Sequence, residues 1–217
     1  FDYFKGTLPE FPAGKPLFIF ASHFHADHYA PVIFQLGEKR ENVFYILSKE
    51  IGKKIPEEYR KRYKDRIRLV KAGERFCLNI SEESLIVETF HSTDEGVAFW
   101  LSCEGKEIYH AGDLNNWWWE GEGMAWNRNM AASYKQEMKK LSGRTADLAF
   151  IPVDPRQEQW FYLGAAGFME QADTKWIFPM HFWEDYAIIP KLIEHPSSEG
   201  WRDRIVEIQK EGEEFIR

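Results

Sequence analysis

Ser22-His23-Phe24-His25-Ala26-Asp27-His28 places three imidazoles and one carboxylate within six consecutive positions, 23 to 28. The apolar run Leu17-Phe18-Ile19-Phe20 leads into it and reads as a buried strand. In extended backbone, residues two apart project to the same side, so His23 and His25 can address one ion together. Asp27 and His28 lie where the chain must turn, and they can aim at a second ion nearby. Neutral imidazole and carboxylate suit divalent zinc, and also iron or manganese. An isolated histidine is ordinarily structural or solvated. Three of them interleaved with Asp at a strand end mark a metal or catalytic site. The stretch is neither terminal nor an uninterrupted His run, so it is not a purification tag.

Four further positions share one context, a ligand-type residue after an apolar strand. His91 follows Leu85-Ile86-Val87-Glu88-Thr89-Phe90, and Asp113 follows Ile108-Tyr109-His110-Ala111-Gly112. Asp154 follows Ala149-Phe150-Ile151-Pro152-Val153, and His181 follows Trp176-Ile177-Phe178-Pro179-Met180. Strand ends along one sheet edge are where α/β folds place chemistry. Together they supply what a two-metal centre needs. His23, His25 and His91 can hold one ion, and Asp27, His28 and His181 the other. Asp113 can bridge, because a carboxylate has two oxygens and an imidazole cannot span two ions. Ions roughly 3.5–4 Å apart can hold one hydroxide between them and clamp a transition state. His110 reads as a core residue or a support behind the ligands, and His195 as exposed. Asp94 and Lys175 read as surface positions.

The 217 residues suit a single domain, 1–217. A net charge of −7 disfavours a broad nucleic-acid surface, which needs clustered Lys and Arg. The basic run Arg60-Lys61-Arg62-Tyr63-Lys64 reads as a solvated helix face. No apolar run approaches a membrane span. Cys77 and Cys103 sit in apolar strand-like runs and read as small buried hydrophobes, so the composition fits a reducing cytosol and a cytoplasmic protein.

Strands are expected at 17–21, 42–47, 67–70, 74–78, 84–90, 97–103, 106–110, 147–153 and 176–179, with two more at 204–208 and 213–216. Helices are expected at 29–36, 49–64 with an interruption at Pro56, 130–141, 162–172 and 183–194. Cys103-Glu104-Gly105-Lys106 reads as a hairpin turn.

This constellation resembles the metallo-β-lactamase superfamily. His23-Phe24-His25-Ala26-Asp27-His28 matches its HxHxDH signature in full. His91, Asp113 in Ala111-Gly112-Asp113, and His181 in Pro179-Met180-His181 match its later ligands in order and approximate spacing. The resemblance covers nearly the whole chain. It implies an α+β fold, a four-layer αββα sandwich with metals at one edge, and the same ligand set. Members normally begin with a β-hairpin. Phe1-Asp2-Tyr3 looks like the end of its second strand, so the rest of that hairpin is missing from this sequence. The Asp113 bridge and His91-Ser92-Thr93-Asp94-Glu95-Gly96 look like the small hydrolases related to ascorbate phosphate lactonase and ribonuclease Z. The β-lactamase branch usually has Cys at the Asp113 position, and flavodiiron oxygen reductases usually have Glu at His25.

Aromatic residues gather near the expected metal side: Trp117-Trp118-Trp119 after Asp113, Trp160 after Asp154, and Trp183 after His181. Trp117, Trp118 and Trp119 are expected to wall a substrate pocket, with a core or subunit-interface role, and hence a homo-oligomer, as the alternative. Arg156 is expected to hold a substrate carboxylate or phosphate. The sequence thus points to a metallo-hydrolase with two divalent ions, zinc by default and manganese or iron as alternatives. An ion-held hydroxide would act on a small ester, lactone or phosphoester, with Asp27 orienting it or shuttling its proton. The alternatives are a phosphodiesterase or ribonuclease acting on RNA or cyclic nucleotides, and a metal-binding protein without catalysis.

Overall fold

The computed structural model describes all residues except 11, 13, 81, 82, 216 and 217. Two sheets carry the chain. The first is wholly parallel, in the order β1 (Leu17–Ala21), β2 (Val43–Ser48), β3 (Ile67–Val70). The second runs β4 (Arg75–Ile80), β5 (Glu83–His91), β6 (Val97–Cys103), β7 (Lys106–His110), β8 (Thr145–Pro152), β9 (Asp173–Met180) in spatial as in chain order. Its first four strands are antiparallel and its last three parallel.

Side-chain alternation explains how the sheets stack. Phe20 of β1 and Ile46 of β2 face inward onto Val87, Val97, Phe99 and Leu101 of the second sheet. Ile19, Ala21, Val43, Tyr45 and Leu47 face the other way, onto Ile33 and Phe34. The first sheet is therefore buried on both faces, which is why β1 and β2 read as unbroken apolar runs. Ala98, Trp100, Tyr109, Ala149, Ile151 and Ile177 point outward from the second sheet onto Tyr134, Met138, Ala165, Phe168 and Leu192. Helices α1 (Ile33–Glu38) and α2 (Glu57–Arg62) cover one side, and α3 (Met124–Met138), α4 (Leu163–Met169) and α5 (Ile188–Glu194) the other. The result is the αββα sandwich that the sequence resemblance implies, with one core between the sheets and one under each helical layer.

Several boundaries differ from the sequence reading, each for a physical reason. The segment 49–64 divides into a 3₁₀ turn, Lys49–Lys53, and α2, with Pro56 at the N-cap. Helix α3 begins at Met124, well before position 130, because Met124 and Trp126 in its first turn are exposed and hide its periodicity. Helix α5 begins only at Ile188, because His181, Trp183 and Glu184 have φ of 63°, 52° and 64°, which no α-helix accepts. At 204–208 there is a 3₁₀ turn and one parallel bridge, Ile205 with Ile177. Residues 213–215 are irregular, and 216 lies outside the described residues. The 103–106 turn has positive φ at both Glu104 and Gly105, as a type I′ hairpin requires. Cys77 is exposed, since β4 is an edge strand and its side chains are only partly covered, and Cys103 is half-buried at the end of β6 beside the 103–106 turn. His195 is half-buried, stacked on Tyr162 at 3.9 Å. The guanidinium and ammonium run at 60–64 is exposed except for the inward Tyr63.

Candidate metal centre and pocket

The carboxyl ends of β1, β7, β8 and β9 deliver Ser22–His28, Asp113, Asp154 and His181 to one edge of the sandwich. Glycines let the loops close on each other there. Gly96 has φ +74°, and a Cβ on it would lie 2.0 Å from the Ser22 carbonyl oxygen and 2.6 Å from His23 Cβ. Gly112 has φ +52°, and its Cβ would meet Ser22 Cβ at 2.6 Å. Both positions therefore require the residue without a side chain.

Asp113 stands at the centre. Its Oδ2 lies 3.3 Å from His23 Nε2, and its Oδ1 lies 3.2 Å from His28 Nε2 and 3.6 Å from His181 Nε2. The two oxygens thus address two different sets of imidazoles. His25 Nδ1 is 2.8 Å from His23 Nε2. Asp27 Oδ2 is 3.4 Å from His28 Nε2 and 3.6 Å from His181 Nε2. Among the described residues, potential donor atoms gather within 4.8 Å of one another in three groups: His23, His28 and Asp113; Asp27, His28 and His181; and His25, Asp94 and Asp113.

The surrounding hydrogen bonds set which nitrogens face inward. Asp2, on the stretch beside β1, accepts from Ser22 N and Ser22 Oγ at 2.7 Å and from His28 Nδ1 at 2.8 Å. Because the Ser22 hydroxyl proton goes to Asp2, its oxygen is left to accept from His23 Nδ1 at 3.1 Å. Asp154 accepts from His181 Nδ1 at 2.8 Å and from the Arg156 guanidinium. His23, His28 and His181 therefore each turn Nε2 toward Asp113. This is the arrangement of metal-ligating imidazoles held from behind by carboxylates. Divalent ions fit the donor set: His28 Nε2 and Asp113 Oδ1 are buried and, among the described residues, have no hydrogen-bond partner.

The electrostatics follow from this crowding. Burial alone would lower the His28 pKa, but Asp113, Asp2 and Asp27 together push it up to about 12. His23 lacks such support, and burial, aided by the His28 charge, lowers it to about 4. Burial would raise Asp2 and Asp154. The imidazoles of His110 and His28 hold the first well below the carboxylate range, and His181 with Arg156 holds the second there. His110 itself is buried, stacks on Phe1 and is lowered to about 4 by burial, so it backs Asp2 and does not face the ion site.

A cavity of about 330 Å³ opens over Asp27, Asp113 and His181. Trp117, Trp119, Trp126, Trp183 and Arg156 wall it. Trp117 and Trp119 stack 5.6 Å apart, and the Arg156 guanidinium sits 4.5 Å over the Trp183 ring. Trp118 points away and packs on Trp160 at 5.3 Å, so it is not part of this wall. Two other sequence expectations also land differently. His91 belongs to none of the donor groups among the described residues. It is exposed, and its ring Nδ1 donates to the Ser92 carbonyl. Asp94, read as a surface position, is exposed and also joins His25 and Asp113 in a donor group. Lys175 does lie at the surface, paired with Asp147. Asp2 carried no local signal, since it lies 20 positions from the serine it holds.

No family model matches the chain, and no curated protein matches it. Solved structures are similar to it at low identity. CmlA, a diiron β-hydroxylase from Streptomyces venezuelae, is 12% identical with a TM-score of 0.49, covering 84% of this chain and 42% of that one. YhfI from Bacillus subtilis, a metallo-β-lactamase fold protein, is 12% identical with a TM-score of 0.46, covering 83% and 71%. Human tRNase Z, short form, is 14% identical with a TM-score of 0.45, covering 81% and 76%. The chain spans less than half the length of CmlA. The architecture is fixed by this chain's own two sheets and three cores.

Proposed function

We propose that this chain is a metal-dependent hydrolase acting on a small ester, lactone or phosphoester. The observation that carries the reading is Asp113, whose two oxygens face separate imidazole sets on the floor of one cavity. His23, His25 and Asp113 would hold one ion, and Asp27, His28, His181 and Asp113 the other. Zinc is the default for imidazole-rich sites, with manganese or iron as alternatives. When bound, two such ions supply water activated at neutral pH and stabilise charge on the substrate oxygen.

The chain's own groups account for the rest. Asp27 is 28% exposed toward the cavity, and its carboxylate is held down at about 2, first by the His28 imidazole 3.4 Å away. It is ionised at pH 7 and able to orient a water and take its proton. Trp117, Trp119, Trp126 and Trp183 exclude solvent and pack an apolar or ring-shaped group. Arg156 keeps its guanidinium charged through Asp154 and presents its outer edge to an anionic substituent. A cavity of this size fits a small molecule more readily than a nucleic acid, and the net charge of −7 agrees. Among the described residues no helix is long and apolar enough to cross a membrane. We place the protein in the cytoplasm on its cysteine usage.

The test is metal analysis of the purified protein, then assay of ester, lactone and phosphoester panels with that metal restored. Two ions per chain and turnover of one panel are expected. A fully loaded protein inert on all three panels would overturn this reading and favour a non-catalytic metal-binding role.

A further inference from the structure

The metal reading leaves the first ion with two imidazoles and half of a bridging carboxylate. We propose that Asp94, and not His91, is its remaining protein ligand. This rests on the dinuclear reading and deepens it.

His91 ends β5 and Asp94 lies in the loop that follows, and the way this segment is pinned decides between them. Glu137 accepts from His91 N at 3.2 Å and fixes that residue's backbone against α3. The His91 ring turns back to the Ser92 carbonyl and lines a neighbouring cavity of about 400 Å³. Beyond it the loop is fastened over the metal edge. Thr93 Oγ1 donates to Asn115 O at 2.6 Å, and Asp94 N donates to the Ser92 hydroxyl at 3.1 Å. Gly96 packs on the Ser22 carbonyl and the His23 Cβ, and Val97 N donates to Ser22 O at 3.0 Å. These contacts hold position 94 beside His25 and Asp113. A carboxylate oxygen of Asp94 comes within 4.8 Å of ligand atoms of both. Asp94 also lines the metal-side cavity, which His91 does not.

The substitution changes the chemistry of the centre. Four neutral imidazoles and three carboxylates then face two divalent cations, so three of the four positive charges are balanced by protein. Carboxylate donors favour harder ions than imidazole does, so the first site moves toward manganese or iron relative to an all-histidine site.

The test measures ions per chain by mass spectrometry after equilibration with equimolar zinc and manganese, with melting curves confirming that each variant is folded. Wild type is expected to hold two ions, Asp94→Ala one, and His91→Ala two. Asp94→His, which restores a donor of the other type, is expected to hold two with a higher zinc-to-manganese ratio. Cobalt substitution gives a second readout, since loss of one ligand changes the visible spectrum of one ion. Two ions in Asp94→Ala with one in His91→Ala would overturn this assignment and leave the dinuclear reading intact. Fewer than two ions in wild type would overturn the dinuclear reading and this assignment with it.

Discussion

Asp2 is the residue on which the geometry of the site most depends, because it holds His28 directly and His23 through Ser22. Its carboxylate is depressed and the His28 imidazolium raised, so their linkage to stability has two limbs. A depressed carboxylate stabilises above its ordinary value of 3.8 and loses that contribution as pH falls through its folded pKa. A raised imidazole stabilises below its ordinary 6.5 and loses that contribution as pH rises toward about 12. The pair contributes most to the chelated protein between these ordinary values. Asp2→Asn is therefore expected to cost the chelated protein about 3–5 kcal/mol near pH 5, as when one partner of a buried charged pair is removed. The deficit should shrink at pH 3 and at pH 10. Denaturant titrations at the three pH values check this, and a deficit independent of pH would show that Asp2 acts by packing alone. The same variant should retain metal about 10–100-fold less tightly, the usual cost of removing a carboxylate behind a ligating imidazole.

At the scale of elements, the tryptophan-bearing loop after β7 is held by α3 as well as by its own hydrogen bonds and by Gln157. Asn127, buried in the first turns of that helix, accepts from Trp119 N at 3.0 Å and donates to Trp119 O at 2.9 Å. Asn127→Ala would leave both backbone groups without these partners, at about 1–3 kcal/mol. With metal restored, KM is expected to rise several-fold while kcat changes little, because the residue touches the wall and not the ions. Unchanged KM with a lowered melting temperature would mean that the wall does not meet substrate. This dependence on α3 also shows what a sequence can and cannot disclose. The strands were legible because β1, β2 and β6 are apolar on successive positions and bounded by turns. The HxHxDH ligands were legible because they are consecutive. Position 94 was not, because the choice between it and His91 is made by Glu137, Asn115 and Ser22, which lie far away in sequence. The start of α5 was hidden because left-handed backbone at His181 and Trp183 has no compositional mark when the residue is not glycine.

For the molecule as a whole, the site is also a joint between the sheets. His23, His25, Asp27 and His28 hang from the first sheet, and Asp113 and His181 from the second. The core between the sheets is apolar and does not need ions to form. At the edge, however, Asp27 and Asp113 face one another across His28 and His181, and their repulsion is offset by those imidazoles or by bound cations. Each ion bound with a thousandfold excess over Kd would add about 4 kcal/mol, or about 8 kcal/mol for two. For a domain of this size each kcal/mol moves the melting temperature by about 2–4 °C, so thorough chelation is expected to lower it by about 16–32 °C. The loss should also be local. Hydrogen exchange should accelerate at 22–30, 92–97, 112–119 and 181–187, while amides of β2, β6 and β8, buried between or beneath the cores, keep their protection. Re-addition of the native metal should restore both readouts. A chelated protein with an unshifted midpoint and unchanged exchange in those four segments would mean that the apolar core alone joins the sheets, and that the ions, where bound, contribute chemistry but no cohesion.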